Sequence, residues 1–350
     1  MLNNFKIGKK YIGKNYPSYI IAEGGVNHNG KIELAIKLID KAKSIGADAI
    51  KFQTFSAEKL VTVNAKKAKY QLRMQDKNTS QFKMLKKLEL NGEKFFLLNN
   101  YCKKKKIEFL STPYSFEDVD LLVKLKISAI KTSSMHLPET PFINYVSKFK
   151  LPLLVSTGMS NMNEVDQAVQ AVRKSGNKKL ILMQCTSAYP SRLEDSNLNV
   201  LKTYESKYQC LTGYSDHTLG KTSSFVAVSF GAKIIEKHFT LDNLMKGPDH
   251  KASLSVNDFK DFIVNIKNVE KVIGSFKKNI SKDELEMRKK MRRSIVLNKR
   301  LKRGTILKEE DLEFKRPGYG LSPKFINRLV GKKLKRSLQK DDLILIKNVY

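Results

Sequence analysis

The sequence predicts an α/β fold, a (β/α)8 TIM barrel followed by a small β-rich domain, on three observations. Eight apolar runs of strand length alternate with helix-length amphipathic stretches within about 250 residues, the arithmetic of eight β–α units. Polar residues that are costly to bury recur where those runs end. Positive charge then rises sharply: residues 288–350 hold 20 Lys and Arg against 6 Asp and Glu, a net of +14 within a chain total of +32. A doubly wound open sheet is disfavoured because no GxGxxG follows the first strand. With 41% hydrophobic residues a sizeable core is available, which excludes wholesale disorder.

Along the chain, residues 5–18 alternate and carry a turn signal at Gly13-Lys14-Asn15, a hairpin closing the barrel's N-terminal end. Strands are expected at 19–23, 49–53, 108–112, 129–134, 152–157, 180–185, 211–215 and 233–239. Most are rich in Ile, Leu and Val without clean alternation, as strands covered on both faces are. Helices follow, as at 31–46 and 163–176, each stopping at a glycine. Residues 274–293 are polar and lack a regular apolar face. They divide the chain into a barrel domain 1–280, a linker 281–292 and a small domain 293–350. The small domain contains an echo, LKRGTILKEEDL (301–312) and LKRSLQKDDL (334–343), which predicts a compact pseudo-symmetric β fold. No apolar run of membrane-spanning length occurs and the first residues lack the apolar core of a signal peptide. Cys102, Cys185 and Cys210 are odd in number and far apart, which disfavours a disulfide framework or zinc site and fits a reducing cytoplasm.

Barrel chemistry sits at the C-terminal ends of the strands. There the sequence places Glu23, Lys51 and Gln53, Thr112, Lys131 with Ser133 and Ser134, Ser156 and Thr157, Ser187 and Tyr189, Ser215 and His217, and His238. A single serine at such a place more often caps a helix than binds a ligand. Eight strands doing it together point to a site, because desolvating these groups brings no packing return. Lys51 and Lys131 with hydroxyls between them form a cage for phosphate or carboxylate. His217 and His238 end adjacent strands and suit an open Mn²⁺ or Mg²⁺ site. Glu23 is the general acid/base candidate. His28 shapes the loop around it, and His250 has no assigned role. Spacing alone leaves addition of a phosphorylated carbon nucleophile to a carbonyl, an aldolase and a phosphate-handling isomerase equally open.

At these residues the chain resembles the sialic acid synthase family, the phosphoenolpyruvate-dependent enzymes that make nonulosonic acids. The motifs are IAEGGVNHNG (21–30), KFQTF (51–55), STPYS (111–115), IKTSS (130–134), STGM (156–159), CTSAYP (185–190), GYSDHTLG (213–220), EKHFT (236–240) and KGPDH (246–250). In the tail, EFKRPGYGL (313–321) resembles the core of the antifreeze-like (SAF, β-clip) domain. The resemblance implies that phosphoenolpyruvate contacts Lys51, Gln53, Thr112, Lys131, Ser134, Ser156 and Ser215. It implies a divalent metal on His217 and His238, Glu23 orienting water, and Tyr189 and Asp249 holding an open-chain N-acetylated amino sugar. Arg316 matches an arginine inserted into the partner subunit's site, implying a domain-swapped homodimer in the cytoplasm.

Two positions depart from the pattern of members that use N-acetylmannosamine. His136 stands where those members carry a sugar-binding Glu, and Ser187 where an Asn is common. An imidazole cannot accept two sugar hydroxyls as a carboxylate does. The expected acceptor is therefore a modified relative of N-acetylmannosamine, such as a di-N-acetylated 6-deoxyhexose, with N-acetylmannosamine itself as the alternative. The competing reading of the basic tail is a nucleic-acid-binding appendage. Its Lys and Arg pairs are scattered, with few aromatics to stack bases, so neither nucleic acid nor membrane is expected as a partner. A scaffold role leaves the strand-end polar residues unexplained.

Overall fold

The computed structural model describes residues 4–68, 71 and 79–350. The chain forms two compact units, Met1–Gly274 and Ser275–Tyr350. The first opens with a hairpin, β1 (Phe5–Ile7) and β2 (Lys10–Ile12), paired antiparallel from Phe5↔Ile12 to Ile7↔Lys10. The hairpin turn itself is at Gly8-Lys9, where Gly8 takes φ +57, which glycine adopts without a Cβ clash. The expected turn at Gly13-Lys14-Asn15 follows the hairpin, closed by the Tyr16 amide donating to the Gly13 carbonyl at 3.1 Å.

Eight parallel strands follow: β3 (Tyr19–Gly25), β4 (Ala49–Thr54), β5 (Glu108–Pro113), β6 (Ile130–Thr132), β7 (Leu153–Ser156), β8 (Leu180–Cys185), β9 (Leu211–Asp216) and β10 (Ile234–His238). Their order in the sheet is β5-β4-β3-β10-β9-β8-β7-β6, and β5 and β6 lie side by side to complete the ring. No paired register joins those two among the described residues. Each strand is followed by helix: α1 (Ile32–Ser44), then α2 (Ala57–Leu60), α3 (Gln81–Leu88) and α4 (Gly92–Lys105) after β4, and α5 (Phe116–Lys124), α6 (Thr140–Ser147), α7 (Met162–Lys174), α8 (Val200–Tyr208), α9 (Thr222–Ser229) and α10 (Val256–Ile273) in turn.

The strands are buried on both faces, as the lack of clean hydropathy alternation in the sequence implied. Ile20, Ile50, Phe109, Val155 and Ile235 face the helices in one large core. Tyr19, Ile21, Ala49, Leu110, Leu154, Ile181, Leu211 and Ile234 face inward in a second core, which Phe5, Ile7 and Ile12 of the hairpin join. Both faces are covered by apolar neighbours, so both sets are apolar and hydropathy alone hides the period of two. The inward set gives way to site residues two or four positions further along the strands, as from Ile21 to Glu23 and from Leu211 to Ser215, which builds the site.

In the second unit, residues read as a linker form the helix α11 (Lys282–Met291), with no buried side chain and a capping box between Ser281 and Glu284. The remainder is β-rich: β11 (Ser294–Leu297) pairs antiparallel with β12 (Leu312–Lys315) around a core including Ile295, Leu307, Leu329 and Ile344. The two echo segments meet at Leu301 and Leu338, which exchange backbone hydrogen bonds of 3.0 Å. Each echo closes alike, Asp311 accepting from the Lys308 amide (3.0 Å) and Asp342 from the Gln339 amide (2.7 Å). Among the described residues no helix is long and apolar enough to cross a membrane, and the three cysteines are buried and free.

Candidate active site

The strand-end candidates of the barrel line one cavity of about 440 Å³ at the C-terminal ends of the strands, except His136 and Thr157, whose hydroxyl instead donates to the Met183 carbonyl at 3.1 Å. The register explains the convergence. Glu23 is opposite Lys51 and His238, Gln53 is opposite Thr112, and Ser215 is opposite both Cys185 and Glu236. All of these side chains point inward, above the apolar barrel core.

At the bottom two lysines are fully buried, and each is held by carboxylate and hydroxyl. Lys51 Nζ lies 2.8 Å from Glu23 Oε2 and donates to Thr112 Oγ1 at 2.8 Å. Lys131 Nζ donates to Ser156 Oγ at 2.6 Å. Between them sits Glu236, which the sequence analysis did not assign. Its Oε1 is 3.7 Å from Lys51 Nζ and 3.4 Å from Lys131 Nζ, and it accepts from Ser215 Oγ at 3.0 Å. The signal was available: Glu236 is two residues before His238 and therefore on the same inward face.

The two carboxylates separate electrostatically. Burial pushes the Glu23 carboxyl up to about 7, against the opposing pull of Lys51. Burial also acts to raise Glu236, but Lys131 and Lys51 overcome it and hold that carboxyl at about 2. Thus Glu236 is a fixed negative charge, while Glu23 is poised to exchange a proton near neutral pH. Asp249 at the rim is pushed up to about 6 by burial.

Ser134 joins this cage through a close backbone approach. Its Oγ accepts from the Gly158 amide at 3.1 Å, and a Cβ at Gly158 would fall 2.7 Å from that oxygen and 2.4 Å from Ser187 Oγ. The STGM glycine therefore admits both serines to the wall.

His217 and His238 stand with ring centroids 5.4 Å apart, and the Tyr189 ring packs on His217 at 4.2 Å. His217 Nδ1 lies 2.8 Å from the Thr186 carbonyl, which only a protonated Nδ1 can satisfy, so Nε2 of the neutral ring keeps its lone pair. His238 Nδ1 is buried without a hydrogen-bond partner, 3.8 Å from Asp249 Oδ2. Burial, with His217 beside it, holds His238 well below the usual histidine range and hence neutral. Among the described residues no three His, Cys, Asp or Glu side chains gather into a metal-holding group. Burial acts to lower His217, but the neighbouring Cys185 outweighs it and raises that imidazole from its ordinary value. The donor set is thus two imidazoles facing an open cavity, which fits a divalent ion that keeps water or ligand oxygens.

His136 departs from expectation. It is buried, stacked on Phe142 (centroids 4.0 Å, 20°) with Nδ1 2.9 Å from Glu139, and Met135 lines the cavity instead. The 3₁₀ turn Ser134–His136 turns the two side chains different ways, and the aromatic stack keeps the imidazole in the α6 packing. Arg316 is exposed on the second unit. His28 accepts from the Gly30 amide at 3.0 Å within its loop. His250 Nδ1 lies 2.7 Å from Thr240 Oγ1.

Comparison with known proteins identifies the family and the fold. Residues 38–278 match the NeuB family and residues 292–349 match the SAF domain. The chain is 40% identical to the N,N'-diacetyllegionaminic acid synthase of Legionella pneumophila, over 100% of this chain and 99% of that one. It is 32% identical to a pseudaminic acid synthase of Campylobacter jejuni, over 98% of each. The crystal structure of N-acetylneuraminic acid synthetase from Leptospira borgpetersenii superposes with a TM-score of 0.74 at 30% identity, covering 82% of this chain and 95% of that one. The chain belongs to the NeuB family of sialic-type (nonulosonic) acid synthases.

Proposed function

We propose that this synthase joins phosphoenolpyruvate, in the lysine cage, to the open-chain form of a di-N-acetylated 6-deoxyhexose. One observation carries the choice of acceptor. Besides the polar cage, the lining contains an apolar group, Leu60, Val61, Met84, Leu85, Met135 and Met159, interrupted by Gln71 and Gln81. Such a lining suits the methyl groups of a second acetamido group and a 6-deoxy carbon better than free hydroxyls, which would lose water without gaining partners. The 40% identity to a synthase named for a diacetylated product supports the same reading.

The chain's own residues account for most of the chemistry. Lys51 and Lys131, with the hydroxyls of Thr112, Ser134, Ser156 and Ser215 and the Gln53 amide, neutralise and orient the phosphate and carboxylate of phosphoenolpyruvate. The sugar is held at the rim by Tyr189 and Asp249. The C3 carbon of the enol attacks the aldehyde carbon, forming the new C–C bond and leaving an electron-poor C2. Ionised Glu23 takes a proton from water as that oxygen bonds to C2. The resulting intermediate breaks its C2–O bond to phosphate, giving a 2-keto-3-deoxy sugar acid and inorganic phosphate. His217 and His238 would hold Mn²⁺ or Mg²⁺, which would supply Lewis-acid polarisation of the aldehyde. Arg316, presented by a partner subunit in a swapped homodimer, meets the N-acetyl group. Three free cysteines fit a reducing compartment such as the cytoplasm.

Steady-state phosphate release with phosphoenolpyruvate, Mn²⁺ and a panel of acceptors tests this. The expected result is a kcat/KM at least about tenfold higher for the di-N-acetylated 6-deoxy sugar, since one well-placed methyl contributes roughly that much. A preference for N-acetylmannosamine overturns the acceptor assignment.

A further inference from the structure

A second cavity, of about 400 Å³, lies at the opposite end of the barrel, where strands begin. It is nearly as large as the catalytic one and within the range of small-molecule sites. Its floor is made by buried residues: Tyr19 at the start of β3, Phe109, and Asn99 and Cys102 of α4. Its surround is strongly basic, with Lys9, Lys10, Lys103, Lys106 and Lys126 facing Asp48 and Glu108. Of those two carboxylates Asp48 is already engaged, by Lys10 and by the Ile20 amide at 2.8 Å. With that pair set aside, Lys9, Lys103, Lys106 and Lys126 face only Glu108, and the lining keeps a positive excess.

Two further features set this cavity apart from an ordinary surface dip. The Tyr19 hydroxyl is buried and has no hydrogen-bond partner, although its residue lines the cavity and is only 2% exposed. A buried hydroxyl without a partner costs free energy and is rarely retained without reason. In addition, Lys106 and Lys126 follow α4 and α5 in left-handed backbone with φ +57, where glycine would be least strained. Holding lysine at both helix ends keeps two ammonium groups beside the cavity.

We propose that this cavity is a second small-molecule site, for an organic anion bearing phosphate or carboxylate groups on an apolar body. The body covers the aromatic and aliphatic floor, the anionic groups meet the lysines, and the Tyr19 hydroxyl donates to the ligand. The site is built from residues apart from the catalytic cavity and does not depend on the acceptor assignment.

Thermal unfolding of the full chain with millimolar AMP, citrate or pyrophosphate tests the proposal, the three probes separating phosphate from carboxylate and bare anion from anion with a body. The expected result is a concentration-dependent rise in unfolding temperature with AMP or citrate. K103E/K126E abolishes that rise while its turnover with phosphoenolpyruvate stays at the wild-type level. Y19F raises the half-saturating concentration about fivefold, as loss of one hydrogen bond does. S156A/S215A, which cuts the catalytic cage, keeps the rise. An unshifted wild type with all three probes overturns the proposal. So does a rise that survives K103E/K126E or disappears in S156A/S215A, which would assign the binding to the catalytic cavity.

Discussion

Glu23 and Glu236 show how two identical side chains acquire different work from their surroundings. Both are buried beside Lys51, yet Glu236 has a second lysine and a serine hydroxyl while Glu23 has one lysine. Glu23 was legible in the sequence as a carboxylate ending an apolar strand. Glu236 was legible only through its spacing of two from His238, since in IIEKHF it otherwise looks like one more charged residue beside Lys237. His136 failed for the converse reason: motif position located it correctly along the chain, but packing against Phe142 decided where its ring went. The Glu23 carboxyl, raised from 4.5 to about 7, has a consequence for stability. Between those pH values the folded protein holds a proton there that the unfolded chain has released, so this group makes stability fall as pH rises across that window. Glu236 acts oppositely: its contribution is present above 4.5 and lost as pH falls towards about 2. E23Q should therefore remove the decline in ligand-free stability between pH 4.5 and 7 while keeping the loss at lower pH, as urea unfolding at a series of pH values would show. A variant that retains the wild-type slope would show that Glu23 titrates in its ordinary range.

At the scale of elements, the strands were legible because eight apolar runs recur with helices between them. Their ends were less so, since β6 stops at Thr132 and hands Ser134 to a 3₁₀ turn. The hairpin's existence was legible, but not which of two glycine-containing turns joins its strands, because both turns form. The ends of β9 and β10 matter most, since they carry His217 and His238. They are fastened from the other side of the sheet by residues immediately preceding the histidines. Asp216 and Lys237 form a fully buried pair at 2.8 Å. Asp216 also accepts from the Thr218, Ser223 and Ser224 hydroxyls at 2.8, 2.9 and 2.6 Å, and Lys237 donates to the Thr218 carbonyl at 2.9 Å. Removing one charge leaves the other buried and unpaired, which costs about 3–5 kcal/mol, whereas replacing both by apolar groups is often near neutral. D216N should lose stability of that order in urea, and D216L/K237M should recover most of it. Turnover should stay low in the double variant, because the network that fixes the two strand ends is gone. Full turnover in D216L/K237M would mean that the pair contributes stability alone.

Across the whole molecule, the charge of +32 has a different meaning once the site is known. The two buried lysines of the cage are matched by Glu23 and Glu236, so the cage by itself is nearly neutral and the excess belongs to the surface. Positive surface charge around an anion-using enzyme raises encounter rates without naming a ligand, which is why composition alone left nucleic acid open. The division into two units was legible from the jump in charge and from the echo of 301–312 in 334–343. The helical character of residues 282–291 was not, because that helix buries nothing and is held by its capping box and first-turn acids. Arg316 is exposed on the second unit, while every lining residue of the catalytic cavity comes from the first. In the proposed swapped homodimer, each site takes its barrel from one chain and its arginine from the other. E23Q and R316A are each expected to be severely impaired alone, and for different reasons. Mixing them under exchange makes heterodimers in which one site has an intact barrel from the R316A chain and an intact arginine from the E23Q chain. The other site in that dimer lacks both. With random pairing, half the dimers are mixed and half their sites are whole, so activity should return to about a quarter of wild type. If Arg316 instead serves its own chain, no mixed dimer contains a whole site, and the mixture will show only the average of its parents.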